Sequence, residues 1–462
     1  MKILVLSCSP KREASLTYHN LKFIEKMFPD DKFSVHYTTN GVFSDELIDE
    51  FHSSDLILMI SSIFHFSVHS AMLPLFQDMV KKLGKESVAG KPFTYLSTSG
   101  KNGEYNAHDL IRRFALYNKM KWITSLSLDD VSALSPEGRE EMYCWFKFVK
   151  ATVENKGQPA VLRDKAGVVI LDTFEAETER TKQINDRLYR YFENAGADVK
   201  IISLRDYKVH ACTACCGCYT TRKCSIKDDF ENLTDTVQLG TDIIVYTGTP
   251  AYGTYGQLFK RFTERHMQYG RAGEITGVIS AFVCDVNDLP MPDDMAYFEK
   301  HQNCVEALAH GFLTGFFPVD EIDGTLDYVA ELTVHAYNSD AYPQNNGLAV
   351  GLDMQFAKLS HRIRALQPAD YEDYRKRGFY EEIPIEQNAR ACYTAEDAAK
   401  SRKGRTIPFN MMLIDFDGKV KITERRPMKS DPFTARRQRE AQAVIEGKTK
   451  PEKRGLFGIK KK

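Results

Sequence analysis

Lys2-Ile3-Leu4-Val5-Leu6-Ser7 runs straight into Cys8-Ser9-Pro10-Lys11-Arg12-Glu13-Ala14-Ser15-Leu16-Thr17, and an amphipathic stretch from Leu16 to Met27 follows. A short apolar run stopped by Ser-Pro and succeeded by a helical pattern reads as strand, loop, helix. Two more such runs, 55–62 (DLILMISS) and 93–99 (FTYLSTS), are each followed by a polar loop and another helical pattern. Strands that are apolar throughout and alternate with helices predict a parallel sheet buried on both faces, the α/β class.

The same plan returns from Gly167: GVVILDT, a helix through about Asn194, VKIISLRD at 199–206, DIIVYTGTP at 242–250 and GVISAFVC at 277–284. The copies agree in spacing from third to fourth strand, but the second carries about 20 extra residues before its third strand, and these hold five of the ten cysteines. Residues 135–156 read as the last helix of the first copy, with Gly157-Gln158-Pro159 opening a linker. The expected domains are therefore 1–158 and 165–335, followed by an extension at 336–462. That extension contains a loop at 338–351, a helix near 353–366, a hairpin around Asp417-Gly418 and a basic tail ending in Lys460-Lys461-Lys462.

A chain of 462 residues is too long for one core. Its 62 Lys plus Arg against 63 Asp plus Glu leave no global field to draw nucleic acid or an anionic membrane, so the expected partners are small molecules or proteins. No apolar run approaches the roughly 20 residues of a membrane span, and Met1-Lys2 leads directly into a strand; a cytoplasmic location is expected. Ten cysteines are too few for a disulfide scaffold, yet five crowd between Cys212 and Cys224.

Ligands of an open parallel sheet bind beyond the carboxyl ends of its strands. The loop after the first strand offers hydroxyls, basic side chains and amides at a helix N-terminus, which suit a phosphate or simply a Ser/Thr-capped turn. Ser9-Pro10-Lys11 and Ser15-Leu16-Thr17 resemble the first loop of the NADPH-dependent FMN reductases of the flavodoxin-like superfamily, with Cys8 where that family usually has Gly. The resemblance implies that Ser9, Lys11, Ser15 and Thr17 hold the FMN phosphate with Arg12 assisting. It also implies that Ser62-Ile63-Phe64-His65-Phe66 supports the isoalloxazine ring. The third loop, Ser97-Thr98-Ser99-Gly100-Lys101-Asn102-Gly103, is similar to the family's Thr-Ser-Gly-Gly turn, which brings Ser99, Gly100 and Gly103 to the flavin. In the second copy Asp172-Thr173-Phe174-Glu175-Ala176-Glu177 is acidic and should repel a phosphate. Its later loop, Gly248-Thr249-Pro250-Ala251-Tyr252-Gly253-Thr254-Tyr255, lies nearer the family pattern, and the resemblance offers Pro250 with Tyr252 or Tyr255 to a ring pocket or a dimer-like face. His36, His65 and His69 read as ordinary hydrogen-bonding histidines, with His65 kept as a ring contact.

Cys212, Cys215, Cys218 and Cys224 follow C-x2-C-x2-C-x5-C, with Cys216 left over. Four thiols on one short loop leave three readings open: an iron–sulfur cluster, zinc, or free redox-active thiols. The spacing, and the Ile226-Lys227-Asp228-Asp229 that follows, resemble the iron–sulfur flavoproteins, in which such a motif holds a four-iron four-sulfur cluster beside FMN. Together the resemblances imply two flavodoxin-like doubly wound parallel sheets in tandem, each a three-layer α/β/α sandwich, with a small irregular C-terminal extension. They imply an FMN-dependent oxidoreductase that passes electrons from NAD(P)H or a protein donor to an acceptor, with no side chain required as general acid or base. Relatives assemble as homodimers or tetramers, so the fusion reads as a covalent pseudo-dimer, itself compatible with a homodimer. The alternatives are an electron carrier or redox sensor using the cysteine loop, and a scaffold that has lost its flavin.

Overall fold

The computed structural model describes residues 1–380 and the strands 412–414 and 420–422. Within the first range 65–66, 100–103, 130–132, 134–135, 156–158, 216, 222, 239–240, 267–277, 300–311, 321, 323, 342–355, 358, 362–363, 366 and 377–379 are not described. The first half runs β1 (Lys2–Ser7), α1 (Leu16–Met27), β2 (Lys32–Tyr37), α2 (Glu46–Ser53), β3 (Leu56–Ser62), α3 (Met72–Leu83), α4 (Lys85–Val88), β4 (Pro92–Ser99), α5 (Glu104–Tyr117), β5 (Lys121–Trp122), β6 (Leu126–Asp129) and α6 (Pro136–Glu154). The second runs β7 (Gly167–Asp172), α7 (Glu179–Asn194), β8 (Asp198–Ser203), α8 (Cys218–Thr221), α9 (Phe230–Gln238), β9 (Ile243–Gly248), α10 (Gly256–Arg265), β10 (Ile279–Asp285), β11 (Phe312–Val319) and α11 (Thr325–Asn338).

The strand orders are β2-β1-β3-β4-β5 and β8-β7-β9-β10-β11, and the pairings are parallel. Both are the flavodoxin-like order, with its switch point beside the first strand of each copy. In the first half the fifth strand is broken: β5 pairs the start of β4 and β6 its end.

Period-two alternation explains why these strands are apolar throughout. Ile3 and Val5 of β1, with Leu56, Leu58 and Ile60 of β3, enter one core; Leu4, Leu6, Ile57 and Met59 enter another on the opposite face. In the second sheet Val168, Ile170, Ile243 and Val245 join that same first core, while Val169, Leu171 and Ile244 build a third. Each sheet thus has an outer core of its own and shares an inner one. The inner layer is closed by α6 and α11, whose Trp145, Phe148 and Val149 belong to one cluster with Leu326, Ala330 and Val334. Polar contacts cross the same seam, Tyr328 Oη donating to Trp122 O at 2.7 Å and Thr124 Oγ1 to Thr314 O.

Residues 1–392 with 409–421 form one compact unit, which contains both sheets; the rest of the chain lies almost wholly outside the described residues. Within the expected 353–366, residues 356–357 and 359–361 are helical, and a further helix, α12 (Pro368–Lys376), follows. Met412–Ile414 and Val420–Ile422 pair with each other on either side of Asp417-Gly418. No helix among the described residues is long and apolar enough to cross a membrane.

Candidate functional site

Loops leave the carboxyl ends of β1, β3 and β4 at one edge of the first sheet. The first is a tight turn in which the Arg12 amide donates to Ser9 O at 3.0 Å and the Ala14 amide to Lys11 O at 2.9 Å. Ser15 closes it as the N-cap of α1: its hydroxyl accepts from the Tyr18 amide at 3.1 Å and donates to Arg12 O at 2.8 Å. Its hydroxyl is thus engaged as a helix cap. Arg12 adopts φ +47°, is exposed, and lies 5.7 Å from the centroid of the Tyr37 ring. Lys11 is half-buried beside it.

Thr17 reaches across to the other loops. Its Oγ1 lies 2.6 Å from Thr98 Oγ1 and 3.4 Å from Ser62 Oγ, and Thr98 donates to Ser62 at 3.3 Å. The first turn of α1 and the ends of β3 and β4, far apart in sequence, are therefore joined by their hydroxyls. At the same edge the buried Ser7, Ser9 and Ser99 hydroxyls have no hydrogen-bond partner among the described residues. Leaving a buried polar group unpaired costs about 1–3 kcal/mol, so these hydroxyls favour a ligand carrying polar atoms. The residues present fit a phosphorylated cofactor. Ile63 donates its amide to Thr98 O at 2.8 Å, and the Phe64 ring meets His69 edge-on at 4.9 Å. His65, Phe66, Gly100 and Gly103 lie outside the described residues. Beneath this edge His108 bridges Ser97 (Nε2, 2.8 Å) and Ser125 through Nδ1, and burial pushes its pKa down to about 3, so it is a neutral hydrogen-bonding group.

The corresponding edge of the second half is filled by its own ion pairs. Arg205 grips Asp172 bidentately at 3.1 and 2.7 Å and donates to Phe174 O at 2.7 Å. The Glu175 carboxylate accepts from the Leu258 amide at 2.9 Å at the start of α10, packed so close to Gly256 (φ +77°) that a side chain there would collide with it. Arg180 spans the strand ends, binding Asp285 at 3.1 and 3.0 Å and the carbonyls of Val319 and Asp320 at 3.1 and 2.9 Å. Pro250 is buried. Tyr252, at φ +51°, is 77% exposed, its amide tied to Asp294 at 2.7 Å. Tyr255 is a core residue, stacked 4.1 Å from Phe298 with its hydroxyl donating to Val283 O at 2.9 Å. Of the two tyrosines, Tyr252 alone is exposed.

The cysteine loop joins β8 to α9. Cys212 and Cys215 are exposed, Cys218 and Cys224 half-buried. The Cys215 sulfur lies 3.2 Å from Ser225 Oγ, and this hydroxyl, with the Gly217 amide and the Thr213 side chain, holds its thiol below the usual range. Cys218 is pushed the other way, first by burial and then by Cys212, Cys224 and Cys215 nearby, so the four thiols lie within electrostatic reach of one another. Among the described residues no three Cys, His, Asp or Glu side chains converge on one point. Four cysteine sulfurs are a donor set that an iron–sulfur cluster and a structural zinc both accept. The loop is braced from α10 by residues that the sequence analysis did not single out: Glu264 takes the Cys212 amide at 2.6 Å, and the buried Arg265 binds Asp228 at 2.9 and 3.2 Å and His210 O at 3.1 Å. Although burial opposes it, Arg265 with the amides of His210 and Phe230 and the His210 ring keeps the Asp228 carboxyl well below the usual range.

The chain is 22% identical over 200 residues to an iron–sulfur flavoprotein of Archaeoglobus fulgidus, a match covering 42% of this chain and 90% of that protein. The chain resembles the iron–sulfur flavoproteins. Such a flavoprotein is thus matched along a length close to one of the two copies. Among solved structures, the general stress protein 14 of Treponema denticola in complex with FMN is 10% identical, the overlay covering 32% of this chain and 98% of that one with a TM-score of 0.28. The flavoenzyme NAD(P)H:acceptor oxidoreductase of Paracoccus denitrificans is 18% identical, covering 33% and 95%, with a TM-score of 0.25. No family model matches the chain.

Proposed function

We propose that the first half binds FMN and that the chain is an FMN-dependent oxidoreductase, taking electrons from NAD(P)H or a protein donor, with a four-iron four-sulfur cluster on the cysteine loop as its second centre. The reading rests on the meeting of Thr17, Ser62 and Thr98 at the edge where the Ser7, Ser9 and Ser99 hydroxyls are unpartnered. Bound FMN supplies the hydride and electron chemistry, while the protein supplies position and electrostatics.

In this reading Ser9 and the turn amides hold the phosphate, Lys11 and Arg12 balance its charge, and Ser15 keeps the turn in shape by capping α1. The loops 62–66 and 99–103 flank the ring. His108 and Ser97 brace the third loop from below, and Tyr252 offers an aromatic face to an incoming partner. Domains at 1–158 and 165–335, a C-terminal extension at 336–462, a cytoplasmic location and pairing of whole chains belong to the same proposal.

Anaerobic purification followed by visible absorption, released-flavin, iron and sulfide measurements tests it. One flavin with about four irons per chain, and oxidation of added NADPH or NADH, are expected; a colourless chain that FMN does not titrate overturns the proposal. The exposure of Cys212 and Cys215 favours one second reading, a redox sensor. Flavin without NAD(P)H oxidation, together with reversible oxidation of those thiols, selects it.

A further inference from the structure

The cysteine loop has a counter-charge built into its base. Arg265, the last residue of α10, is 3% exposed and carries its guanidinium 4.6 Å from the Phe230 ring centroid. Nη1 donates to His210 O, two residues before the first cysteine, and to Asp228 Oδ2; Nη2 donates to Asp228 Oδ1, four residues after the last. The buried Nε of the guanidinium has no hydrogen-bond partner among the described residues. One cation thus ties both ends of the loop together. Its neighbour Glu264 holds the first cysteine by its amide, so two consecutive residues on one helix end fix the loop at both sides. Burying a guanidinium is costly unless it is paired, and Asp228 pairs it; removing the cation would leave the Asp228 carboxylate buried and uncompensated at the base of the loop.

We propose that Arg265 is the positioning residue of the cysteine loop: by binding His210 O and Asp228 it closes the loop and stabilises the ligand set, and its positive charge at the loop's base raises the reduction potential of what the thiols hold. This rests on the reading of Cys212, Cys215, Cys218 and Cys224 as cluster ligands. Lysine cannot bridge His210 O and both Asp228 oxygens in one plane, so Arg265→Lys keeps the charge but loses the fork.

The full chain and its R265K and R265Q variants are reconstituted anaerobically with ferrous iron and sulfide. Iron loss to a chelator is followed by absorbance and the midpoint potential by spectroscopic redox titration. R265Q is expected to lose iron roughly 10- to 100-fold faster, the usual effect of removing an outer partner of a metal ligand. The clusters that remain should have a more negative potential, because the Asp228 carboxylate then lies at the base of the loop without its cation and nearby charge tunes the potential; R265K falls between. A role confined to folding would reduce loading without moving that potential. Wild-type rates and potential in R265Q overturn the inference. If the wild-type chain takes up no iron, the cluster reading fails first. Arg265 is then decided by alkylation of Cys224 at fixed pH, followed by mass spectrometry: faster modification in R265Q supports loop closure, and an unchanged rate refutes it.

Discussion

Replacing Ser9 by alanine should move folding and binding in opposite directions. The Ser9 hydroxyl is buried at 1% exposure and has no partner among the described residues, so the cofactor-free chain bears the desolvation of a group that gains nothing in return. Removing it should stabilise the apoprotein by up to about 1–3 kcal/mol, less whatever the small void left behind costs. If the same hydroxyl donates to a phosphate, that charged hydrogen bond contributes about 1.5–3 kcal/mol, so S9A should weaken FMN binding roughly 10- to 150-fold. Ser15→Ala supplies the contrast: its hydroxyl caps α1, so its loss should destabilise the apoprotein by about 0.5–2 kcal/mol. Urea unfolding of the apoprotein and quenching of FMN fluorescence on titration measure the two quantities on the same samples. A less stable S9A apoprotein, or one that binds FMN as well as wild type, would refute the assignment of Ser9 as a ligand of the phosphate.

Phe148→Ala, at the seam between the sheets and 5.8 Å from the Phe312 ring, should cost about 3–5 kcal/mol, and calorimetry should show a single transition moving as one; two resolved transitions would mean the halves unfold independently. FMN titration should saturate at one flavin per chain, since Arg180, Arg205 and Glu175 fill the second edge, and a stoichiometry of two would contradict this. Acid should destabilise the chain through His108: its folded pKa, about 3, lies below the unfolded value near 6.5, so the unfolded state gains the proton first. Stability present above about pH 6.5 is therefore lost progressively as pH falls toward 3, and His108→Gln should flatten that slope in denaturant titrations across the window.

The fold was legible because the central strands are buried on both faces, which leaves runs such as KILVLS and GVVILD that no amphipathic helix would show. The duplication was legible for the same reason, since the extra residues fall in one place. The inner core joining the halves was not: Phe148 and Leu326 each look like any buried residue of their own helix, and nothing local says they meet. The first loop was read by residue type, and type cannot separate the hydroxyl of Ser15, used as a cap, from that of Ser9, left without a partner. Thr98 lay within a quoted loop yet stood out only when its side chain proved to bond Thr17. Tyr252 and Tyr255 are three residues apart in a similar setting, and only backbone geometry sends one to solvent and the other to the core. Arg265 stood at the end of a helical pattern, where a basic residue is unremarkable, and its pairing with Asp228 spans a turn of the fold that no spacing rule covers.

A homodimer with a two-fold axis must write every change twice, because each interface residue and each site appears in both protomers. Here α6 and α11 meet across the inner layer as equivalent helices of a pair would, but they belong to one chain and need not match. Linking the copies therefore releases each from the other's constraints. The first edge can keep bare hydroxyls while the second seals itself with Arg180 and Arg205 and grows a cysteine loop, a division of labour that a symmetric assembly of identical chains cannot encode.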